Sequence, residues 1–255
     1  MRVAVIGAGW AGCAAAVEAT RLGQQVTVFE AARVPGGRAR RVDSQWPDGT
    51  ALALDNGQHI LIGAYSETLR LMADVGMVAD TALLRLPLTL QFPDGTGLVF
   101  PRLPAPLDAL AGMVRARGWS WRDKLSLLRA AVGWQVSGFR CAPALSVAQL
   151  CRTLSPTVMA TLIEPLCVSA LNTPAERASG QVYLRVLRDA LFAESGGSNL
   201  LLPRVDLSAL LPDAALAWVV QHGGDVGLGR RVQGLTHVAG AVSYTHLTLP
   251  TNREV

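Results

Sequence analysis

Hydrophobic and polar positions follow two regimes along this chain. The first apolar runs are short, residues 3–6 and 26–29, and each is bounded by glycines or polar residues. Runs of this length between turn signals predict buried strands, and the alanine-rich stretch between them, residues 10–22, predicts a helix. Two Pro-Asp-Gly triplets follow. Pro47-Asp48-Gly49 precedes residues 50–54, and Pro93-Asp94-Gly95 separates residues 88–92 from 98–100. Both predict hairpin turns between strands. Beyond Pro101 helical spacing takes over. Ser120 with Asp123 has the pattern of a capping box, and Trp121, Leu125, Leu128 and Val132 then share one helical face, expected to pack as core. Ser146 with Gln149 starts another helix, and Ser155-Pro156 a third that Pro165 is expected to kink or end. Thr173-Pro174-Ala175-Glu176 predicts a further N-terminus, followed by Ala178, Val182, Leu187 and Leu191. After Asp206 the pattern returns to α/β, with a short helix through Trp218, a turn at Gly223-Gly224, and strands near residues 226–228 and 232–235.

The glycines behind the first strand carry the first chemical signal. They read Gly7-Ala8-Gly9-Trp10-Ala11-Gly12, a G-x-G-x-x-G set between a strand and a helix, and the second strand ends on Glu30. In that context each residue has a task in holding a dinucleotide. Gly7 allows the tight turn, Gly9 lets a pyrophosphate reach the backbone, and Gly12 lets helix and strand pack closely. The helix N-terminus, with Ala8, Trp10 and Ala11 around it, offers backbone N–H groups to phosphate. Glu30 is expected to accept hydrogen bonds from ribose hydroxyls.

Composition narrows the class. With 255 residues and 50% hydrophobic content the chain can bury one or two cores. The net charge is +4, but the arginines look scattered rather than gathered with aromatics, and Lys124 is the one lysine, so no nucleic-acid partner is expected. Cys13, Cys141, Cys151 and Cys167 form no C-x-x-C pair, and the histidines show no metal-ligand spacing. Reduced, packed thiols, no metal and a cytoplasmic setting are the expectation. Met1 leads directly into the first strand, leaving no room for a signal peptide, and no apolar run approaches the ~20 residues of a membrane span.

A second glycine signature, Arg33-Val34-Pro35-Gly36-Gly37-Arg38, resembles that of the flavin amine oxidase and carotenoid desaturase superfamily. There the glycine pair lets a loop approach the FAD diphosphate, and Arg38 would add a charge-assisted contact. Asp55-Asn56-Gly57-Gln58-His59 resembles the segment that passes near the isoalloxazine in the desaturase-like branch. Further matches are Glu164-Pro165-Leu166-Cys167, Ala170-Leu171-Asn172-Thr173-Pro174, Ala178-Ser179, Val186-Leu187-Arg188-Asp189 and Leu202-Pro203-Arg204-Val205-Asp206-Leu207. Together they resemble the squalene-associated FAD-dependent desaturases, or hydroxysqualene dehydroxylases, of bacterial hopanoid and squalene synthesis. The resemblance implies an α/β, doubly wound, Rossmann-like FAD-binding domain with an inserted mixed sheet and a helical substrate domain. It implies an oxidoreductase in which reduced FAD gives hydride to an allylic carbon of hydroxysqualene as the hydroxyl leaves. The cofactor-binding set is then Gly7, Ala8, Gly9, Trp10, Ala11, Gly12, Glu30, Gly36, Gly37, Arg38, Gly57, Gln58, His59 and Val232, the last with its backbone against the adenine. The leaving oxygen needs a proton; His59 is the weak candidate for a catalytic acid, and Asp55 is another.

The expected organisation is a first part of the FAD domain at 1–80, a substrate domain at 81–205 and a return to the FAD domain at 206–241. Residues 242–255 look like translated adapter DNA and are set apart from the reading of the fold, with the natural protein expected to continue beyond Gly240 and the chain therefore to be truncated. Two other readings stand beside the dehydroxylase: a carotenoid or phytoene desaturase, and an inactive dinucleotide-binding fragment. The implied partner is a lipophilic isoprenoid. Transient contact with the inner face of the cell membrane follows from that substrate, although no helix has the basic amphipathic pattern of a surface anchor.

Overall fold

The computed structural model describes residues 1–57, 59–193, 195–238, 241–244 and 247–248. The first elements are β1 (Arg2–Ile6), α1 (Trp10–Arg21), β2 (Gln25–Phe29), β3 (Arg41–Gln45), β4 (Ala51–Asp55), β5 (Leu61–Ile62), α2 (Ser66–Asp74) and α3 (Ala79–Ala82). Next come β6 (Leu83–Leu86), β7 (Thr89–Gln91), β8 (Gly97–Val99), α4 (Leu107–Arg115), α5 (Trp121–Val136), α6 (Val147–Leu150), α7 (Pro156–Val158), α8 (Glu164–Leu171) and α9 (Gly180–Arg188). The chain continues through β9 (Leu200–Pro203), α10 (Leu207–Leu210), α11 (Pro212–Gln221), β10 (Asp225–Gly227) and β11 (Arg231–Val232). The last elements are β12 (Leu235–Val238), β13 (Ala241–Tyr244) and β14 (Leu247–Thr248).

The chain divides into two compact units. The first holds Met1–Ile60, Ser66–Leu84 and the chain from Leu202 onward. Its sheet is parallel, in the order β1-β2-β10, with Val3 opposite Val26 and Val226 opposite Val28. Val26 and Val28 are fully buried, and α1 lays Cys13, Ala16 and Val17 beneath α11, which contributes Ala215, Leu216 and Val219. Each such valine or leucine stabilises the unit by about 1.5–3 kcal/mol relative to an exposed position. The architecture is α/β, and among the described residues α1 packs against α11 beside the parallel sheet. β1 is an edge strand among the described residues, and its Ile6 is exposed. The β3–β4 hairpin forms around Pro47-Asp48-Gly49, whose Asp48 carboxylate accepts the Thr50 N–H. β12 pairs antiparallel with β13 and β11 with β14, so β13 and β14 fall largely within the 242–255 stretch that the sequence sets apart.

The second unit comprises Leu61–Tyr65 and Arg85–Leu201. The short segment 61–65 belongs to it because β5 pairs antiparallel with β9, Leu61 opposite Leu201. The β7–β8 hairpin forms at the second Pro-Asp-Gly, with Asp94 accepting the Thr96 N–H. Behind it lies a core of Leu98, Phe100, Met113, Val147, Cys151, Val158, Ile163 and Tyr183. Ser120 and Asp123 form the expected capping box on α5, and Ser146 and Gln149 the one on α6.

Three expectations are corrected here. The interruption expected at Pro165 falls ahead of it: the α-helix gives way to the π-helical turn Met159–Ile163, and α8 restarts with the proline in its first turn, where a missing N–H is tolerated. The helix expected from Thr173 starts at Ser179 instead. Ala175 and Ala178 give their carbonyls to the N–H groups of Ala148 and Val147, which stops the turn at Pro174 from extending. The third correction concerns α5. Its Trp121, Leu125, Leu128 and Val132 stripe faces outward, and the side packed on the core carries Leu127, Ala130 and Trp134.

The four cysteines are free thiols. Burial pushes Cys13 up to about 12, aided by the charges of Asp213 and Glu30. Burial likewise pushes Cys151 up to about 12, aided by Cys167. Because these folded values are raised above the ordinary 9.0, their contribution to stability is complete below about pH 9 and is lost as pH rises toward 12. The urea midpoint is therefore expected to fall between pH 8.5 and 10.5 (an approximate window set by thiol linkage). Brief alkylation of the native chain near neutral pH should label half-buried Cys141 ahead of Cys13 and Cys151 by peptide mass spectrometry.

Candidate cofactor-binding site

The site is assembled from backbone. Gly7 adopts φ +100°, and its N–H donates to the Phe29 carbonyl at 2.7 Å, so the chain leaves β1 beside the end of β2. Gly9 then caps α1 in extended conformation, without a side-chain cap and without an acid in the first turn. Nothing stands within 4 Å of where a Cβ would sit on Gly7 or Gly9, which leaves an open cradle before the positive end of the helix. On the other side of the loop a Cβ on Gly12 would overlap the Gly7 carbonyl oxygen. That close approach sets the height of α1 over β1.

The second glycine signature lies directly on the first. The Gly36 N–H donates to the Ala8 carbonyl at 2.7 Å, and Gly9 and Gly36 form a parallel bridge. Gly36 and Gly37 both hold positive φ, +106° and +63°, and a Cβ on Gly37 would stand 3.3 Å from the Gly9 Cα. The indole N–H of Trp10 donates to the Ala39 carbonyl at 3.0 Å and clamps this loop from the helix side. Arg38 is exposed beside it. Two residues on, Arg40 carries a buried Nε with no hydrogen-bond partner among the described residues. A buried guanidinium donor left over next to an anion cradle fits a diphosphate-bearing ligand. The sequence reading missed Arg40, because no motif position marks it.

Glu30 proves to be a tie between loops. One carboxylate oxygen accepts the Ala8 N–H at 2.7 Å and the other the Ala32 N–H at 2.8 Å. Each oxygen keeps capacity for a second donor, so a ribose hydroxyl would join these bonds rather than replace them. Around the same residue, the Glu30 N–H donates to the Gly227 carbonyl, and the Arg230 N–H donates to the Glu30 carbonyl. Those bonds deliver β11, with half-buried Val232, from the end of β10.

The Asp55–His59 segment joins the assembly through Asn56. Its side chain donates to the Arg38 carbonyl at 3.0 Å and its N–H to the Arg40 carbonyl at 2.8 Å. Gly57 follows at φ +82°, and His59 is exposed, its Nε2 standing 3.7 Å from where a Gly57 Cβ would lie. Gln58 lies outside the described residues. One oxygen of Asp55 accepts the Leu207 N–H at 2.9 Å, while Asp206 accepts that of Ala209 and lies 3.5 Å from Arg41. No cluster of metal-ligating side chains occurs among the described residues.

Fold and site thus define an α/β protein with a dinucleotide cradle closed by a second glycine loop. The model of the flavin-containing amine oxidoreductases matches residues 10–253, and the chain belongs to that family. Its cofactor is FAD, and the residues that would hold it are the Gly7–Gly12 loop, Glu30 and the Gly36–Arg38 loop. The chain is 29% identical over 247 residues to hydroxysqualene dehydroxylase of Rhodopseudomonas palustris, covering 92% of this chain and 54% of that protein. It is 40% identical over 76 residues to zeta-carotene desaturase of Synechocystis, covering 30% of this chain and 15% of that protein. Among solved structures an oxidoreductase from Methanosarcina mazei shares the fold at TM-score 0.67 and 18% identity, covering 98% of this chain and 57% of that one. The chain spans about half the length of the curated hydroxysqualene dehydroxylases it matches.

Gly12→Ala forces a methyl group into the Gly7 carbonyl. It is expected to destabilise the chain by about 1–3 kcal/mol and to weaken FAD uptake, read by denaturant unfolding and by flavin absorbance after gel filtration.

Proposed function

We propose that this chain belongs to an FAD-dependent enzyme acting on a long isoprenoid, with reductive removal of the hydroxyl of hydroxysqualene as the reaction. The observation that carries this reading is a cavity of about 230 Å³ within the second unit, lined, among the described residues, without a charged side chain. Leu98, Met113, Leu162, Ile163 and Phe192 typify its walls. An ammonium substrate needs a carboxylate or an aromatic cage, whereas a hydrocarbon chain needs walls of this kind. The similarity to hydroxysqualene dehydroxylase over 92% of the chain supports the same substrate class.

FAD, when bound and reduced, would supply the hydride and be left oxidised. The chain's own part is to grip its diphosphate through the two glycine loops and to give the substrate a dry, apolar bed. Tyr183 lines that bed, and its hydroxyl is fully buried with no partner among the described residues. Burial, reinforced by the nearby Cys151 and Cys167, pushes the phenol up, so it stays protonated and able to donate. In this reading it hydrogen-bonds the oxygen of a substrate alcohol. His59 remains the candidate catalytic acid, with Asp55, one of whose carboxylate oxygens accepts the Leu207 N–H, as the alternative.

A carotenoid desaturase is the second reading, favoured by the identity to zeta-carotene desaturase. Incubating the flavin-loaded, reduced protein with hydroxysqualene, and the oxidised protein with phytoene, separates the two by product identity. Squalene from the first and no change in the second is the expected result; conjugated product from phytoene establishes the desaturase, and failure to take up FAD removes both. Tyr183→Phe is expected to stabilise the ligand-free chain by about 1 kcal/mol, since an unpaired buried hydroxyl is removed. It should raise KM for hydroxysqualene roughly tenfold, one hydrogen bond's worth.

A further inference from the structure

We infer that the outward face of α4 and α5 is a docking surface for an anionic lipid bilayer, laid around the mouth of the apolar cavity. The inference rests on the isoprenoid reading only for what the cavity receives from the bilayer. On α5 the residues Trp121, Leu125, Leu128, Val132 and Val136 follow one another at three- and four-residue spacing. All are exposed, Trp121 at 75% and Val136 at 84%. The opposite side of the helix packs on the core through Leu127, Ala130 and Trp134, so α5 is apolar on both sides. A helix of that kind in a water-facing position needs a second apolar partner. α4 extends the face with exposed Leu107, Leu110 and Val114. The two helices are joined where Lys124 Nζ donates to the Val114 carbonyl at 2.7 Å and stands 5.1 Å over the Trp121 ring. Leu107, Leu110, Leu128 and Val132 are exposed and also line the cavity, which places them at its rim.

Charge selects the partner. Residues 101–140 contain seven basic and two acidic residues, an excess larger than the +4 of the whole chain. Both acids, Asp108 and Asp123, are buried, whereas Arg102, Arg115, Arg117, Arg122, Arg129 and Arg140 are exposed. The arginines that look scattered along the sequence are therefore concentrated on the segment that carries the apolar face. A second copy of this chain would bring like charges together. Anionic headgroups over an acyl layer satisfy both the arginines and the apolar stripe, with Trp121 at interfacial depth. No one helix carries the whole basic amphipathic pattern, because the stripe and much of the charge come from different elements. Among the described residues no helix is long and apolar enough to cross a membrane, so the contact is peripheral.

The test is co-sedimentation of the 255-residue chain with vesicles of phosphatidylcholine alone or with a quarter phosphatidylglycerol, at low and high salt. Binding should require phosphatidylglycerol and weaken with salt. Arg122→Glu with Arg129→Glu should lower partitioning by roughly tenfold or more. Val132→Glu with Val136→Glu, positions already open to water, should lower it by a similar factor with an unchanged urea midpoint. Trp121→Phe should remove a blue shift of emission that appears on vesicle addition. Equal binding to both vesicle types, no binding to either, or a concentration-dependent dimer that these substitutions dissolve overturns the proposal. Vesicle binding without conversion of hydroxysqualene counts against the reaction alone, and conversion of detergent-dispersed substrate without vesicle binding counts against the surface alone.

Discussion

The contact on which the cofactor unit depends is backbone against backbone at the start of α1. The helix approaches the Gly7 carbonyl so closely that only glycine fits at position 12, and the Gly36 N–H reaches the Ala8 carbonyl from the other side. Two loops distant in sequence are thereby stacked, with the helix N-terminus open beside them. Glu30 locks the arrangement by accepting one N–H from each adjoining loop. The cradle is held by contacts within the chain itself. Its recognition is by main-chain dipoles, so it suits a phosphate-bearing cofactor and says little about a substrate.

The second unit recognises in the opposite manner. Its cavity has hydrocarbon walls, a buried phenol with no partner among the described residues, and a rim of exposed apolar side chains. Each of these features is unfavourable for the ligand-free chain in water: the unpaired hydroxyl costs desolvation, and the exposed stripe on α5 orders water without burying area. Local rules are broken in this way where a ligand or surface completes the structure. The π turn ahead of Pro165 belongs to the same pattern, since it reshapes the helix that supplies Leu162 and Ile163 to the cavity.

Much of the nucleotide half was legible from local sequence. A glycine requirement at a tight turn, a strand of four apolar residues and a capping box are decided by near neighbours, and the observed Gly7, Gly36 and Ser120 geometries follow those rules. The less legible positions depend on partners far along the chain. Asp55 holds the N–H of Leu207, and Ala178 gives its carbonyl to Val147. Such pairings leave no periodic trace. The α5 stripe was read to the wrong side for the same reason: periodicity identifies an apolar face, but which of two apolar faces meets the core depends on what lies opposite.

Sequence alone determined that a dinucleotide loop exists, which glycines form it, and that the family is flavin-dependent, because main-chain conformation at those positions depends on the absence of a side chain. Tertiary structure decided that Glu30 ties two adjoining loops, that among the described residues Arg40 and Tyr183 carry buried donors without a partner, and that leucines of α4 and α5 are exposed and also line one apolar cavity. Those outcomes are set by burial and by distances between remote segments, quantities that only exist once the chain has closed on itself.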